Sequence, residues 1–332
     1  MAPVGTSGEA CGKAILVGEH SVVHGYPALA LPLRSQSLII RFGDLLEQPS
    51  SPSAAREAWR NAWTLSMSGT FVPLPESERD RLTHSLELGL RVVLGCEGQE
   101  AMLENFHPQR IEIDSHLPLG AGMGGSAALS AALLRALSRA FGKKWTLPEL
   151  AMHANSLDGY FHGRASGLDA ATVVSSGIIK FRKDLGVQAV KNTQPFWLLL
   201  VDTRERTPTR DMVSRVDRLR GERKEWVESQ FVRLGECASR AEECLAQGNL
   251  LELGEWLNSA HVSLQNLGVS TDKLDSCVRL LRESGAVGAK LTGGGGGGLA
   301  LGVFAARPPA SISDMFAGLP YYLTFVPEDE NS

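Results

Sequence analysis

The stretch Asp114-Ser-His-Leu-Pro-Leu-Gly-Ala-Gly-Met-Gly-Gly-Ser-Ala-Ala128 restricts what this chain can fold into more than any other. Ahead of it, Arg110-Ile-Glu-Ile-Asp114 alternates polar and apolar residues, the period of a strand. Behind it, an alanine- and leucine-rich run predicts a helix as far as Phe141. Between them, Gly120, Gly122, Gly124 and Gly125 permit tight turns and bring bare backbone N–H groups close to a ligand. Ser126 stands where a helix N-cap is expected. Strand, glycine loop and capped helix together make an anion site, because unpaired N–H groups and the positive end of the helix dipole face one point. The natural ligand is a phosphate.

Three phosphate loops compete for this pattern. The Walker loop requires a lysine after its last glycine, and Ser126 follows Gly125 instead. The dinucleotide fingerprint GxGxxG fits as Gly120, Gly122 and Gly125, but it wants a ribose-binding acid about 20 residues on. Glu149 is the nearest candidate, and Thr146-Leu-Pro-Glu149 reads better as a helix capping box. The third pattern is Pro118-x-Gly120-x-Gly122-x-Gly124-x-Ser126-Ala-Ala, the loop of small-molecule kinases, with Ala121 and Met123 between its glycines. A glycine-rich turn without a ligand is the bland alternative.

Elsewhere, single residues are ambiguous and clusters are informative. Lys13 interrupts the apolar strand that continues through Ala14-Ile-Leu-Val17, and Glu19 and His20 crowd Gly18 before a second apolar run, Ala28–Leu31. Each reads alone as an exposed lysine, a solvated acid and a loop histidine. Sharing one small loop favours a functional reading. A helix predicted from Thr146 to about His162 buries Leu150, Ala154, Leu157 and Phe161, with Asp158 beside that stripe, either paired or reaching a metal. Asp169 follows a flexible Ser166-Gly167 step and precedes small residues, so a substrate can come close. Leu82, Leu86, Leu90 and Val93 mark a core-facing helix over Ser77–Leu94, and Trp59 and Trp63 read as packing before they read as an adenine pocket.

Further on, Phe196–Val201 is a strand, and Lys224–Gln247, Leu250–Asn266 and Thr271–Ser284 are helices. The run Gly293–Gly298 is flanked directly by strands, Ala286–Thr292 and Leu299–Phe304. Crowded glycines in that setting predict that another backbone passes close by, rather than a linker.

With 332 residues the chain has room for two domains, and the polar turn near Gly186 to Gln194 places the expected boundary at 188/189, giving 1–188 and 189–332. The net charge of −4 argues against general binding to nucleic acid or anionic membranes. No apolar run reaches the length of a membrane span, and Met1–Ala10 lacks a signal-peptide core. Cys11, Cys96, Cys237, Cys244 and Cys277 form no CxxC pair, and an odd, scattered set suits reduced thiols in a cytoplasmic compartment.

With these pieces in place, the sequence resembles the GHMP small-molecule kinases along nearly its whole length. Four ordered blocks carry the match: Lys13–Ala28, Pro118–Ala128, His162-Gly-x-x-Ser-Gly-x-Asp169 and Lys290–Leu299. The resemblance implies an α+β fold, with an N-terminal nucleotide-binding domain and a C-terminal ferredoxin-like domain. It implies ATP and Mg²⁺ as cofactors, and within the family the blocks look most like the branch that phosphorylates the primary hydroxyl of mevalonate, an early isoprenoid and sterol step. Phosphomevalonate and homoserine are the alternative substrates, and a Rossmann oxidoreductase is the alternative of another class.

By the same resemblance, Asp169 is the catalytic carboxylate and Lys13 the lysine that pairs with it and with the transferring phosphate. Pro118 to Ser126 hold the nucleotide, Ser126 and Asp158 the metal, and Glu19, His20 and Thr292 the substrate. Three departures stand out. Gly125 replaces a serine, Asp158 replaces a longer glutamate, and Arg164-Ala165 replaces Asn-Pro. The resemblance implies a cytoplasmic protein or one of a peroxisome-like organelle, and leaves a homodimer open.

Overall fold

The computed structural model describes residues 6–43, 51–95, 106, 108–118, 120–162, 166–316 and 318–329. Cys96 and Gly163-Arg-Ala165 lie outside the described residues. The strands are β1 (Ser7–Val17), β2 (Ala28–Phe42), β3 (Trp63–Met67), β4 (Thr70–Val72), β5 (Ile111–Ser115), β6 (Ile179–Arg182), β7 (Gly186–Ala189), β8 (Phe196–Asp202), β9 (Gly288–Thr292), β10 (Leu299–Phe304) and β11 (Tyr321–Val326). The helices are α1 (Pro52–Ala62), α2 (Glu76–Leu94), α3 (Gly125–Ala140), α4 (Leu147–His162), α5 (Leu168–Val174), α6 (Thr209–Glu222), α7 (Lys224–Gln247), α8 (Leu250–Asn266), α9 (Asp272–Glu283) and α10 (Ile312–Met315).

Two compact units result, and neither is a single stretch of chain. One comprises Met1–Gly12, Leu33–Pro118 and Gly124–Val174; the other comprises Lys13–Pro32, Leu119–Met123 and Ser175–Ser332. The 188/189 position falls inside the second unit, within β7.

In the first unit, β5 pairs antiparallel with Leu38–Phe42 of β2 and parallel with β3, which pairs antiparallel with β4. Helix α3 packs on α2, α4 and α5. Its small residues, Ala127, Ala128, Ala131, Ala132 and Ala136, are buried, and Leu134 and Leu137 fill the space between helices. Helix α4 opens with the expected capping box: the Thr146 amide donates to Glu149 Oε2 at 2.8 Å and the Glu149 amide donates to Thr146 Oγ1 at 3.4 Å. Trp59 and Trp63 are core residues; their indole N–H groups donate to the Phe106 carbonyl and the Thr83 hydroxyl.

In the second unit, Ala28–Ala30 of β2 pair with β6, and β6 pairs with β7, both antiparallel. A separate sheet has the order β11-β8-β10-β9, every pair antiparallel. Numbered along the chain this is 4-1-3-2, the ferredoxin-like arrangement. Strand β8 sits centrally, and Phe196, Leu198, Leu199, Leu200 and Val201 are fully buried, which accounts for its unbroken apolar run. The Rossmann alternative is overturned here. It needs a doubly wound parallel sheet, whereas β2 pairs antiparallel with β5 and β6, β6 antiparallel with β7, and every pair of the β11-β8-β10-β9 sheet is antiparallel.

Candidate active site

Strand β9 presents two of the site's side chains on one face. Lys290 and Thr292 lie two residues apart, so they point the same way. The outer edge of β9 is sealed by helix side chains. Asn258 Oδ1 accepts from the Ala289 amide at 3.0 Å, Arg282 donates to the Ala289 carbonyl at 2.8 Å, and His261 Nδ1 accepts from the Leu291 amide at 3.4 Å. With its edge bonds satisfied, the strand is a rigid support.

Thr292 bridges β9 to β1, its hydroxyl accepting from the Ile15 amide and donating to the Ile15 carbonyl. After β1, the chain turns through Gly18 (φ 106°) and His20 (φ 61°), an unusual conformation for a side-chain-bearing residue. Two contacts hold that turn. Glu19 Oε1 pairs with Lys290 Nζ, and His20 Nε2 donates to the Gly294 carbonyl at 2.9 Å. Glu19, His20 and Lys290 are all buried. Burial lowers the His20 pKa to about 4, so the ring is neutral at neutral pH. Burial also pushes Lys290 down, opposed by the Glu19 charge.

Two glycine loops meet in this unit. Ala121 and Gly122 lie close to both ends of the six-glycine run after β9: a Cβ on Gly293 would lie 3.8 Å from the Gly122 carbonyl, and one on Gly298 would lie 3.9 Å from the Ala121 carbonyl. The Lys13 amide donates to the Met123 carbonyl at 2.8 Å, tying β1 to the first loop. The expected close backbone is there, and it is also on the other side. A Cβ on Gly295 would stand 2.2 Å from the Val269 carbonyl and one on Gly297 2.6 Å from the Glu205 carbonyl.

The first unit holds the remaining candidates. Helix α3 begins at Gly125 behind Gly124, which is the N-cap in a left-handed conformation (φ 72°, ψ 32°) without a side-chain cap. Ser126 is therefore inside the first turn and is not the N-cap that the sequence suggests. A left-handed cap position favours glycine over serine. Ser126 lies in the first turn of α3 and Asp158 on the adjoining α4, where it is buried. Asp169 is half-buried in the first turn of α5, behind Gly167 (φ 90°) and the Ser166 hydroxyl that accepts from the Leu168 amide.

The structure thus gathers Lys13, Glu19, His20, Gly120, Ala121, Gly122, Met123 and Thr292 in one unit and Pro118, Gly124, Gly125, Ser126, Asp158 and Asp169 in the other. Two further residues belong with the first group. Lys290 opens the last of the four sequence blocks, and a lysine inside an otherwise apolar strand is its signal. Arg206 forms a two-pronged pair with Asp202 at 2.6 and 2.7 Å, and its Nε lies 3.9 Å from where a Cβ on Gly120 would be. Its signal is the four-residue spacing from an acid at the end of a strand.

The chain is similar to known proteins. Family models described as the GHMP kinases N terminal domain and the GHMP kinases C terminal match residues 92–177 and 241–317. A mevalonate kinase of Thermococcus gammatolerans is 31% identical over 294 residues, covering 86% of this chain and 85% of its own. One of Pyrococcus horikoshii is 30% identical over 326 residues, covering 93% and 92%. The crystal structure of L. major mevalonate kinase in complex with R-mevalonate superposes with a TM-score of 0.76 over 98% of both chains at 24% identity, a likeness of fold.

Proposed function

The chain belongs to the GHMP kinase family, and from that premise we propose that it transfers the terminal phosphoryl group of ATP to the primary hydroxyl of mevalonate, giving 5-phosphomevalonate and ADP. The observation that carries this reading is the bond from the Lys13 amide to the Met123 carbonyl, which fixes a buried lysine beside the phosphate loop. Curated relatives of about this length support the substrate, since the chain spans 85% and 92% of two of them.

Phosphoryl transfer needs positioning and charge neutralisation more than covalent participation. Lys13 offsets the negative charge that grows on the transferring group; at 4 Å and an effective dielectric of about 20, such a pair is worth about 4 kcal/mol before desolvation. The N–H groups at the start of α3 and of the Gly120–Met123 loop bind phosphate oxygens. Asp169 orients the alcohol and accepts its proton late in the transfer. Glu19, His20 and Thr292 form the substrate side.

Among the described residues, no group of three or more His, Cys, Asp or Glu could hold a metal ion. Mg²⁺ takes one or two protein oxygens and completes its shell with water and phosphate. A serine hydroxyl at the start of α3 and a buried carboxylate on the helix packed against it are such a donor set, so Ser126 and Asp158 are the residues that would hold it. When bound, the ion supplies neutralisation of the phosphate charge.

No described helix is long and apolar enough to cross a membrane. The test is ADP release from ATP with a panel of alcohols. Turnover of mevalonate well above homoserine and phosphomevalonate is expected, and the reverse order would refute the substrate.

A further inference from the structure

We infer that Lys290 is a positioning residue of the phosphotransfer site: its ammonium, buried within β9, fixes the Glu19 carboxylate in the orientation that the alcohol substrate meets. The inference rests on the placing of Glu19 on the substrate side in the reading above.

Every residue of β9 is buried, and Lys290 itself is 0% exposed, so its charge has no access to water. An ammonium in that position needs a partner, and it has two. Nζ donates to Glu19 Oε1 and to the carbonyl of Leu291. Stability alone does not account for the pair, because well-packed apolar residues often do as well in place of a buried ion pair. The pair does specify position. It joins consecutive residues with its neighbour, since Glu19 bonds to Lys290 while His20 bonds to Gly294, and Thr292 lies between those two anchors. The turn after β1 is thereby held at both residues.

The other Glu19 oxygen is the second observation. Oε2 is buried and accepts no hydrogen bond among the described residues. A buried, unsatisfied carboxylate oxygen is costly unless something donates to it. With Oε1 held by the ammonium, Oε2 keeps one direction, suited to an O–H donor. The charged and titratable groups about Lys290 are Glu19 and His20 in the turn, Lys13 on β1, Cys237 on α7 and His261 on α8.

The test compares wild type, Lys290→Met, Glu19→Gln and the double variant Lys290→Met/Glu19→Gln by steady-state kinetics from about pH 6 to about pH 9, the range in which an isolated buried carboxylate titrates. Lys290→Met should raise KM for mevalonate about tenfold or more, which corresponds to about 1.4 kcal/mol, and leave KM for ATP within about twofold. Its kcat/KM should gain an ionisation, because burial disfavours a carboxylate whose counter-charge has been removed. The double variant should keep the high KM and lose that ionisation.

A merely structural lysine would lower the melting temperature and move both KM values together, without the new ionisation, and that outcome overturns the inference. If Lys290→Met does not fold, the neutral double variant carries the test, and a wild-type KM for mevalonate there overturns it equally. Failure of the underlying reading shows separately, as wild-type enzyme that turns over a different alcohol in the panel; the KM comparison is then made on that alcohol.

Discussion

The Thr292 hydroxyl accepts a hydrogen bond from the Ile15 amide at 3.1 Å and donates one to the Ile15 carbonyl at 2.9 Å, so a single side chain gives β1 the paired bonds a neighbouring strand's backbone would give. Ile15 is two residues from Lys13 on the same strand and therefore on the same face.

Thr292→Val keeps the shape and leaves both backbone groups of Ile15 without that partner. Each buried orphan costs about 1–3 kcal/mol, so for the two we expect a loss of about 2–6 kcal/mol in urea denaturation, with kcat/KM falling as the Lys13 strand loosens. Thr292→Ser retains the hydroxyl and should stay near wild type. Equal stability of the valine and serine variants would show that the bridge is dispensable.

The two glycine loops should respond differently to alanine. Gly122 has φ 84° and open space where a Cβ would be, whereas a Cβ on Gly295 would lie 2.2 Å from a carbonyl oxygen. Gly122→Ala should fold, with backbone strain of about 1–2 kcal/mol, and lose ATP affinity because the space is kept for a ligand. Gly295→Ala should show a large drop in melting temperature. Nucleotide titration and thermal melting on both variants check this, and a Gly122→Ala protein with full ATP affinity would contradict it.

What the sequence made legible was local. Helices α7 and α8 are bounded as expected because Gly248 closes the first in a left-handed conformation and Asn249 caps the second. The crowding of Gly293–Gly298 is readable because a six-glycine run between strands has few other uses. Helix α6 escaped notice because it buries only Met212 and Val216, too thin a stripe to register. Helix α1 escaped because Ser51 and Pro52, which cap and start it, read equally well as a polar loop. The Glu19–Lys290 pair joins residues 271 apart in the chain, and no spacing rule reaches that far.

Ser126→Ala and Asp158→Ala should each raise the Mg²⁺ concentration needed for half-maximal activity and weaken ATP binding. The expected size is about tenfold, since replacing one oxygen ligand by water loses roughly 1.4 kcal/mol. Asp158 is a methylene shorter than the glutamate expected there, so its effect is the more informative. An unchanged Mg²⁺ titration for Asp158→Ala would remove it from the site.

Asp169→Asn keeps size and hydrogen bonding but removes charge and proton acceptance. A fall in kcat of about 10²–10⁴-fold is expected, with binding of ATP and mevalonate largely retained. Lys13→Met should lower kcat by about 10²–10³-fold, as loss of a preorganised charge stabiliser does. If Asp169 serves only to hold its helix, the asparagine variant will instead melt earlier and raise KM while kcat stays within about tenfold of wild type.

Acid should destabilise the fold through two buried histidines before its carboxylates titrate. His20 and His261 are both lowered to about 4 chiefly by burial, with the Gly294 carbonyl opposing the shift at His20 and the Asp275 charge opposing it at His261. Free histidine titrates near 6.5. Above about pH 6.5 both states are neutral and each histidine contributes no pH dependence. Between about 6.5 and 4 the unfolded chain takes up protons that the folded one refuses, so unfolding becomes easier as pH falls; below about 4 that slope ends. From about pH 7.5 to about pH 5 each residue should remove about 2 kcal/mol. His261 Nδ1 accepts from the Leu291 amide, so the neutral ring carries its proton on Nε2, in close contact with Asp275 Oδ1 at 3.2 Å though poorly aligned for a hydrogen bond. Asn places an acceptor much where Nδ1 stands and does not titrate, so His261→Asn should show about half the wild-type loss over that range. Urea denaturation of both proteins at several pH values decides it, and identical slopes would mean that His261 is protonated in the fold as readily as in the unfolded chain.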